Sequence, residues 1–309
     1  MPDVTDPHPL QPPSLRNARL PRGRTLVFAL LVLLVGALGT QRVEAAGDKF
    51  GLQSRIAVVV DQDTGEVLVA KNADQKVPIA SLTKLMTALV VIEARLSMDE
   101  VITINRDDLA TAKQSPSRLP VGAKLTRGQL LLLALMSSEN RAAMAVTRGF
   151  PGGRGAFVAR MNAKARELGM KSTRFSDPSG LSDLNISTAR DLLRLVNAAD
   201  GDKLIRRYST QLETTVRVRG APLKFVNTNR LVRNASEWDI DVQKTGFTNA
   251  AGRCLVMRAT TAKRRLSMVF LDSYGTLTRF ADAARVRKHL ERQARKPAKA
   301  RKVASNADS

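Results

Sequence analysis

Alternating, β-type patterns stand near both ends of this chain, and a long helix-patterned stretch separates them. That order constrains the fold more than any other feature, because strands far apart in sequence must meet in one sheet. Arg55–Val60 (RIAVVV) and Glu66–Ala70 (EVLVA) flank Asp61-Gln62-Asp63-Thr64-Gly65, which predicts a β-hairpin with a glycine in its turn. Pro78 precedes an apolar-periodic segment, Ala80–Arg95, whose Leu82, Leu85, Met86, Leu89 and Ile92 predict a central, largely buried helix. Further helices are expected over Thr126–Met136, Arg141–Thr147 and Ala156–Leu168, the last ended by Gly169. Asp177-Pro178-Ser179-Gly180 reads as a turn, and Ser187 as the cap of a helix running through Val196. β character returns in Thr214–Val218, Val242–Phe247, Cys254–Ala259 and Leu266–Leu271, and Thr276–Leu290 predicts a closing helix. The expected class is α+β. An antiparallel sheet is flanked by helices, and an all-helical subdomain at about residues 95–210 is inserted between its strands. Residues 46–290 would then form one discontinuous domain.

The ends read differently. Arg16, Arg19, Arg22 and Arg24 precede a 14-residue apolar run, Leu26–Gly39, and Val43-Glu44-Ala45 follows. A basic region, a short apolar core and a small-residue cleavage site predict an export signal over residues 1–45. The run falls short of the roughly 20 apolar residues of a spanning helix. An uncleaved anchor is the alternative, and either reading sends the rest of the chain out of the cytoplasm, to the periplasm. From Arg285 to Lys302 nine Lys or Arg stand against one Glu, and residues 291–309 are expected to be a basic disordered tail. The net charge is +22, and the body stays basic when both ends are set aside. An exported basic protein meets anionic wall polymer or lipid headgroups, so a peripheral contact through the tail is expected, and nucleic acid is not an expected partner.

The chemistry is bounded by what is scarce. The two histidines, His8 and His289, lie near the ends, and Cys254 is the only cysteine. Ser-His-Asp, Cys-His and His-Glu-x-x-His mechanisms are therefore excluded, as is a multi-cysteine zinc site; neither metal nor cofactor is expected. Ser81-Leu82-Thr83-Lys84 supplies another kind of base. Residues at i and i+3 share a helix face, so Lys84 can reach the Ser81 hydroxyl. A lysine buried among Leu82, Leu85 and Met86 loses affinity for its proton and can take one from serine. Ser138-Glu139-Asn140 sits in a polar break between two apolar helices. Lys244-Thr245-Gly246 lies in a late strand, where Gly246 lets another backbone come close and Lys244 offers a positive charge to an extended substrate. Cys254, in an apolar strand, reads as a small core residue, and Asn227-Thr228-Asn229 is given no role.

Each motif alone is weak; the three in this order are not. S-x-x-K, S-x-N and K-T-G together resemble the penicillin-recognising serine enzymes, meaning DD-peptidases, penicillin-binding proteins and serine β-lactamases. Pro78–Lys84, Ser137–Ala143 and Gln243–Cys254 are most similar to the endopeptidase branch of the low-molecular-mass DD-peptidases, over roughly residues 50–290. The resemblance implies the serine β-lactamase/DD-peptidase-like fold. It also implies Ser81 as the acylated nucleophile and Lys84 as its base. Ser138 would relay a proton toward the leaving amine, linking Lys84 and Lys244, and Asn140 would hold the substrate amide and Lys84. Lys244, Thr245 and Gly246 would bind substrate, and the N–H groups of Ser81 and Phe247 would form an oxyanion hole. Glu139 replaces the commoner Asp and is read as structural.

The expected substrates are peptidoglycan stem peptides and cross-links, with β-lactams as inhibitors. A DD-endopeptidase is the leading expectation and a D-alanyl-D-alanine carboxypeptidase the alternative. A β-lactamase is disfavoured because the loop around Asp177–Leu181 carries no glutamate, Glu167 falling in the preceding helix. A non-enzymatic wall-binding protein would explain the charge but not the three motifs.

Overall fold

The structure, a computed structural model, describes residues 49–109 and 117–305, with side chains as far as residue 295. They belong to one compact unit, Ala45–Ser309. The signal expected over residues 1–45 lies outside the described residues.

Strand β1 (Ile56–Asp61) and strand β2 (Val67–Lys71) form the expected hairpin. Its turn is held by Asp61, whose carboxylate accepts from the N–H groups of Asp63 and Thr64 at 2.8 and 3.2 Å. At the far end of the chain β9 (Asp239–Thr248), β10 (Gly252–Thr261) and β11 (Arg264–Ser273) form a meander. The two ends meet where β1 pairs antiparallel with β11, Ile56 opposite Leu271 and Asp61 opposite Leu266. The sheet order is β2-β1-β11-β10-β9, which leaves β9 on an edge. Both faces are covered, so alternate residues enter two separate cores. Ile56, Val58, Val256, Val269 and Leu271 face the inserted helices, whereas Ala57, Val59, Met257, Met268 and Phe270 face the other way.

The insert begins with the short strand β3 (Val77–Pro78) and a 3-10 turn, Ala80–Leu82, before helix α1 (Thr83–Glu93). Every residue of α1 from Thr83 to Val91 is buried, which is why its apolar surface is so wide. The ribbon of β4 (Val101–Thr103) and β5 (Lys124–Thr126) leads into α2 (Arg127–Met136), capped by a reciprocal Thr126–Gln129 pair. Then come α3 (Asn140–Ala145), α4 (Gly153–Glu167), β6 (Ile186–Ser187), α5 (Ala189–Asp200) and α6 (Lys203–Thr210). The insert is thus not wholly helical. β4–β5 and the β3–β6 pair are strands too short for an alternating pattern to announce. Ser187 is not a cap: it pairs with Val77, and the Thr188 hydroxyl accepts the Asp191 N–H instead, at 3.1 Å.

The strand expected at Thr214–Val218 forms as β7 (Glu213–Val218), but it stays out of the main sheet. It pairs with β8 (Ala221–Val226) in a separate hairpin. Helix α7 (Thr278–Ser305) closes the far face with Phe280, Ala283, Val286 and Leu290. Its Asp282 is wholly buried and accepts from the N–H of Gln53, and from the N–H and hydroxyl of Ser54, at 2.6–3.0 Å. The segment expected to be disordered from residue 291 is helical to Ser305, in keeping with the high helix propensity of Ala, Lys, Arg and Gln.

Candidate active site

The turn that carries Ser81 is shaped from below. Ala80 adopts φ +47°, a left-handed conformation costly for a residue with a side chain. The loop 177–185 holds it there. The Ile79 N–H donates to the Asn185 carbonyl at 3.0 Å, and the Asn185 amide donates to the Thr83 hydroxyl at 3.1 Å. That hydroxyl donates to the Ala80 carbonyl at 2.8 Å. Gly180 (φ +81°) lies so close that a Cβ there would overlap the Ala80 carbonyl. Asp177 keeps the loop in shape, one oxygen accepting from the Ser179 N–H and hydroxyl and the Gly180 N–H, at 2.6–2.7 Å. Ser81 therefore sits, 8% exposed, just ahead of the positive end of α1.

Lys84 lies one turn on and is 1% exposed. Its Nζ donates to Ser81 Oγ at 2.7 Å, to Asn140 Oδ1 at 2.7 Å and to the Ser179 carbonyl at 2.6 Å. Burial pushes its pKa down from 10.5 to about 7, with the charges of Asp177 and Glu139 resisting. At neutral pH a large fraction is unprotonated and holds a lone pair within reach of the Ser81 hydroxyl.

The break between α2 and α3 supplies the next two side chains. Ser138 is forced to φ +61°, and its hydroxyl accepts from Lys244 Nζ at 2.9 Å. A bond between Ser138 and Lys84, which the resemblance implies, is not found among the described residues: the hydrogen bonds of Lys84 Nζ are with Ser81, Asn140 and Ser179. Glu139 caps α3, accepting from the Arg141 N–H at 3.3 Å and from the Ser117 hydroxyl. Burial raises its pKa.

Edge strand β9 forms the opposite wall. A Cβ on Gly246 would stand 3.2 Å from the Ala80 Cβ, the Ile79 carbonyl and the Ser81 N, so its absence lets the serine turn lie against the strand. Lys244 was expected to bind substrate and lies beneath the cleft wall. It is wholly buried, donates to Ser138 and to the Thr245 carbonyl at 2.8 Å, and has its pKa lowered by burial and by the charge of Lys84. Thr245, Gly246 and Phe247 do line the cleft, which encloses about 690 Å³ above Ser81. Phe247 is 51% exposed, with the Arg253 guanidinium 4.5 Å from its ring.

Several lining groups carried no motif. Thr228, from the Asn-Thr-Asn segment given no role, shares a 2.6 Å hydrogen bond with Thr245. Ser179 contributes only a backbone carbonyl, which any residue would offer. Arg279, on α7, has a buried Nε without a partner, and burial lowers its pKa to about 10. Arg118 also lines the cleft. Cys254 is fully buried with its thiol pKa pushed up to about 12, and the His289 ring meets Phe50 of the far face at a tilt of 57°.

A serine bonded to a desolvated lysine, with Ser-x-Asn on one wall and Lys-Thr-Gly on an edge strand opposite, defines a penicillin-recognising serine peptidase on an α+β scaffold. Residues 41–275 match the D-alanyl-D-alanine carboxypeptidase family, peptidase S11. The chain belongs to that family and is a serine-type D-Ala-D-Ala peptidase. It is 50% identical over 242 residues to the D-alanyl-D-alanine endopeptidase of Pseudomonas aeruginosa, covering 78% of each chain. It is 42% identical over 279 residues to the D-alanyl-D-alanine endopeptidase of Escherichia coli, covering 88% of this chain and 90% of that one. The DD-transpeptidase of Streptomyces K15 superimposes with a TM-score of 0.71 at 27% identity, over 77% of this chain and 97% of that one.

Proposed function

We propose that this chain is an exported, periplasmic DD-endopeptidase that cuts peptidoglycan cross-links. Ser81 Oγ attacks the D-alanyl carbonyl as neutral Lys84 takes its proton. The N–H groups of Ser81 and Phe247 receive the developing oxyanion, and Asn140 orients the substrate amide. The proton on Lys84 passes, once bound substrate loosens the resting contacts of the lysine, through the Ser138 hydroxyl, which Lys244 holds, to the departing amine, leaving Lys84 neutral again. Thr245 and Arg279 bind the carboxylate next to the scissile bond, and Lys244 acts from behind the wall by holding Ser138. Water then releases the acyl group. The observation that carries this reading is the 2.7 Å contact between Ser81 and a lysine whose pKa has fallen to about 7.

The endopeptidase assignment is supported by the names of the relatives at 50% and 42% identity. Carboxypeptidase action is the second reading, favoured by the family description and by relatives so named. Chromatography of digests decides between them. Purified enzyme is expected to cut cross-linked dimeric muropeptides to monomers faster than it trims pentapeptide to tetrapeptide, and the reverse order would assign the carboxypeptidase. Intact-mass analysis with a penicillin is expected to show a persistent adduct, mapped to Ser81. Export is read from residues 1–45 and is tested by the N-terminal sequence of the mature protein.

A further inference from the structure

The wall of the cleft beside Thr245 ends in an arginine that the reaction described above does not use. Arg118 is exposed, lines the cleft, and its guanidinium lies 4.1 Å from the centre of the Phe225 ring. It has no carboxylate partner among the described residues.

Its position is built. On one side the Ser117 hydroxyl donates to Glu139 and accepts the Leu119 N–H at 3.1 Å. On the other the Leu119 carbonyl accepts from Arg141. The following residues are tied to the β7–β8 hairpin, where Arg219 donates to the Val121 carbonyl at 2.7 Å. Arg118 is thus pinned at both neighbours and laid on an aromatic platform. A guanidinium held this way loses little freedom when it meets a carboxylate.

The location assigns the side of the scissile bond. Phe225 stands three residues before Thr228, which bonds Thr245. This wall therefore continues outward from the groups that take the carboxylate next to the scissile nitrogen. In a terminal D-alanine the same carbon carries only a methyl group. In a diamino-acid cross-link it carries a long side chain that leads past this wall to a second stem peptide with its own carboxylates.

We propose that Arg118 is a specificity-determining residue that receives a carboxylate of the acceptor stem, the half of the cross-link that departs with the amine. The inference rests on the endopeptidase reading. Glu139 is the positioning residue that keeps Arg118 in place, acting through Ser117.

The test compares wild type with Arg118→Gln on dimeric muropeptide and on a labelled penicillin, which has no acceptor stem. The ratio of dimer cleavage to penicillin acylation is expected to fall about fivefold, the size of an exposed charge contact. In wild type the same ratio falls as salt rises, and in the variant it does not. Dimers whose acceptor carboxylates are amidated are expected to be cut equally by both proteins. Because Arg118 is exposed, the substitution leaves the core intact; a merely structural role would lower both reactions together and leave the ratio unmoved, overturning the proposal. A fall in penicillin acylation alone would move Arg118 to the donor half and also overturn it. Wild-type enzyme that cuts no dimers would instead sink the endopeptidase reading.

Discussion

The floor and the rim of the cleft are built on different principles. Ser81, Lys84, Asn140, Glu139 and Lys244 make up the floor, each less than 9% exposed and each hydrogen-bonded. Removing charged groups from water is costly, and the floor limits that cost through lowered lysine pKa values and hydrogen bonds to both lysines. Arg118 and Phe247 on the rim are exposed and held by cation–π contacts. The floor determines which bond can break. The rim determines which molecule is presented, and an exposed contact is worth little to stability. Damage to the floor should therefore be large and indifferent to substrate, and damage to the rim small and selective.

The largest effect is expected from Ser81→Ala. Loss of the nucleophile should lower turnover of every D-alanyl substrate by about 10⁵-fold and abolish the penicillin adduct in intact-mass spectra. An adduct that survives would remove Ser81 from the floor altogether.

The next test is pH. Only unprotonated Lys84 can accept the serine proton, so acylation should rise about tenfold per unit below pH 7 and level off above it. Stopped-flow penicillin acylation between pH 5 and 9 gives the profile. Lys84→Arg, which cannot lose its proton, should fall by about 10³-fold and lose the pH 7 inflection. Folding carries the same sign. Lys84 binds its proton less tightly folded than unfolded, so its burial penalty is full below pH 7 and relaxes as pH rises from 7 toward 10.5.

Gly180→Ala probes the support beneath the floor. The added methyl meets the Ala80 carbonyl at a positive φ, so a cost of about 2 kcal/mol is expected, read as a lower Tm. The displaced Ser81 turn should slow penicillin and dimer alike, by about tenfold. An unchanged rate with a lowered Tm would separate the loop from the chemistry. The smallest effect belongs farthest from the cleft. Leu290 is the last buried residue of α7 among the described residues, so deleting residues 291–309 should leave small-peptide turnover within about twofold. Retention on wall polymer at low salt should weaken.

The floor was legible in the sequence because its chemistry demands particular residues at particular spacings. Ser81 and Lys84 must share a helix face, and only glycine at 246 lets the serine turn approach the strand. The main sheet was legible because strands buried on both faces read as apolar runs. The rim was not, since Arg118 is one arginine among many and Phe225 belongs to a hairpin strand with four of its six residues exposed. Thr228 and Arg279 reach the cleft from segments about 147 and 198 residues from Ser81, contacts that no local pattern encodes. Lys244 was recognised by its motif but its burial was not foreseen, because a motif gives the order of residues and not their depth.

The loop that braces the serine turn has a consequence for antibiotic resistance. An enzyme trapped by penicillin escapes if it gains a carboxylate that activates water against the acyl bond. Within residues 177–185, four positions are already committed. The Asp177 carboxylate holds the loop, the Ser179 carbonyl holds Lys84, Asn185 holds Ile79 and Thr83, and Gly180 leaves no room for a side chain. A substitution that brought in the missing acid there would loosen the nucleophile it was meant to free. Single substitutions at Asp177, Gly180 or Asn185 are expected to yield slower targets rather than resistant ones.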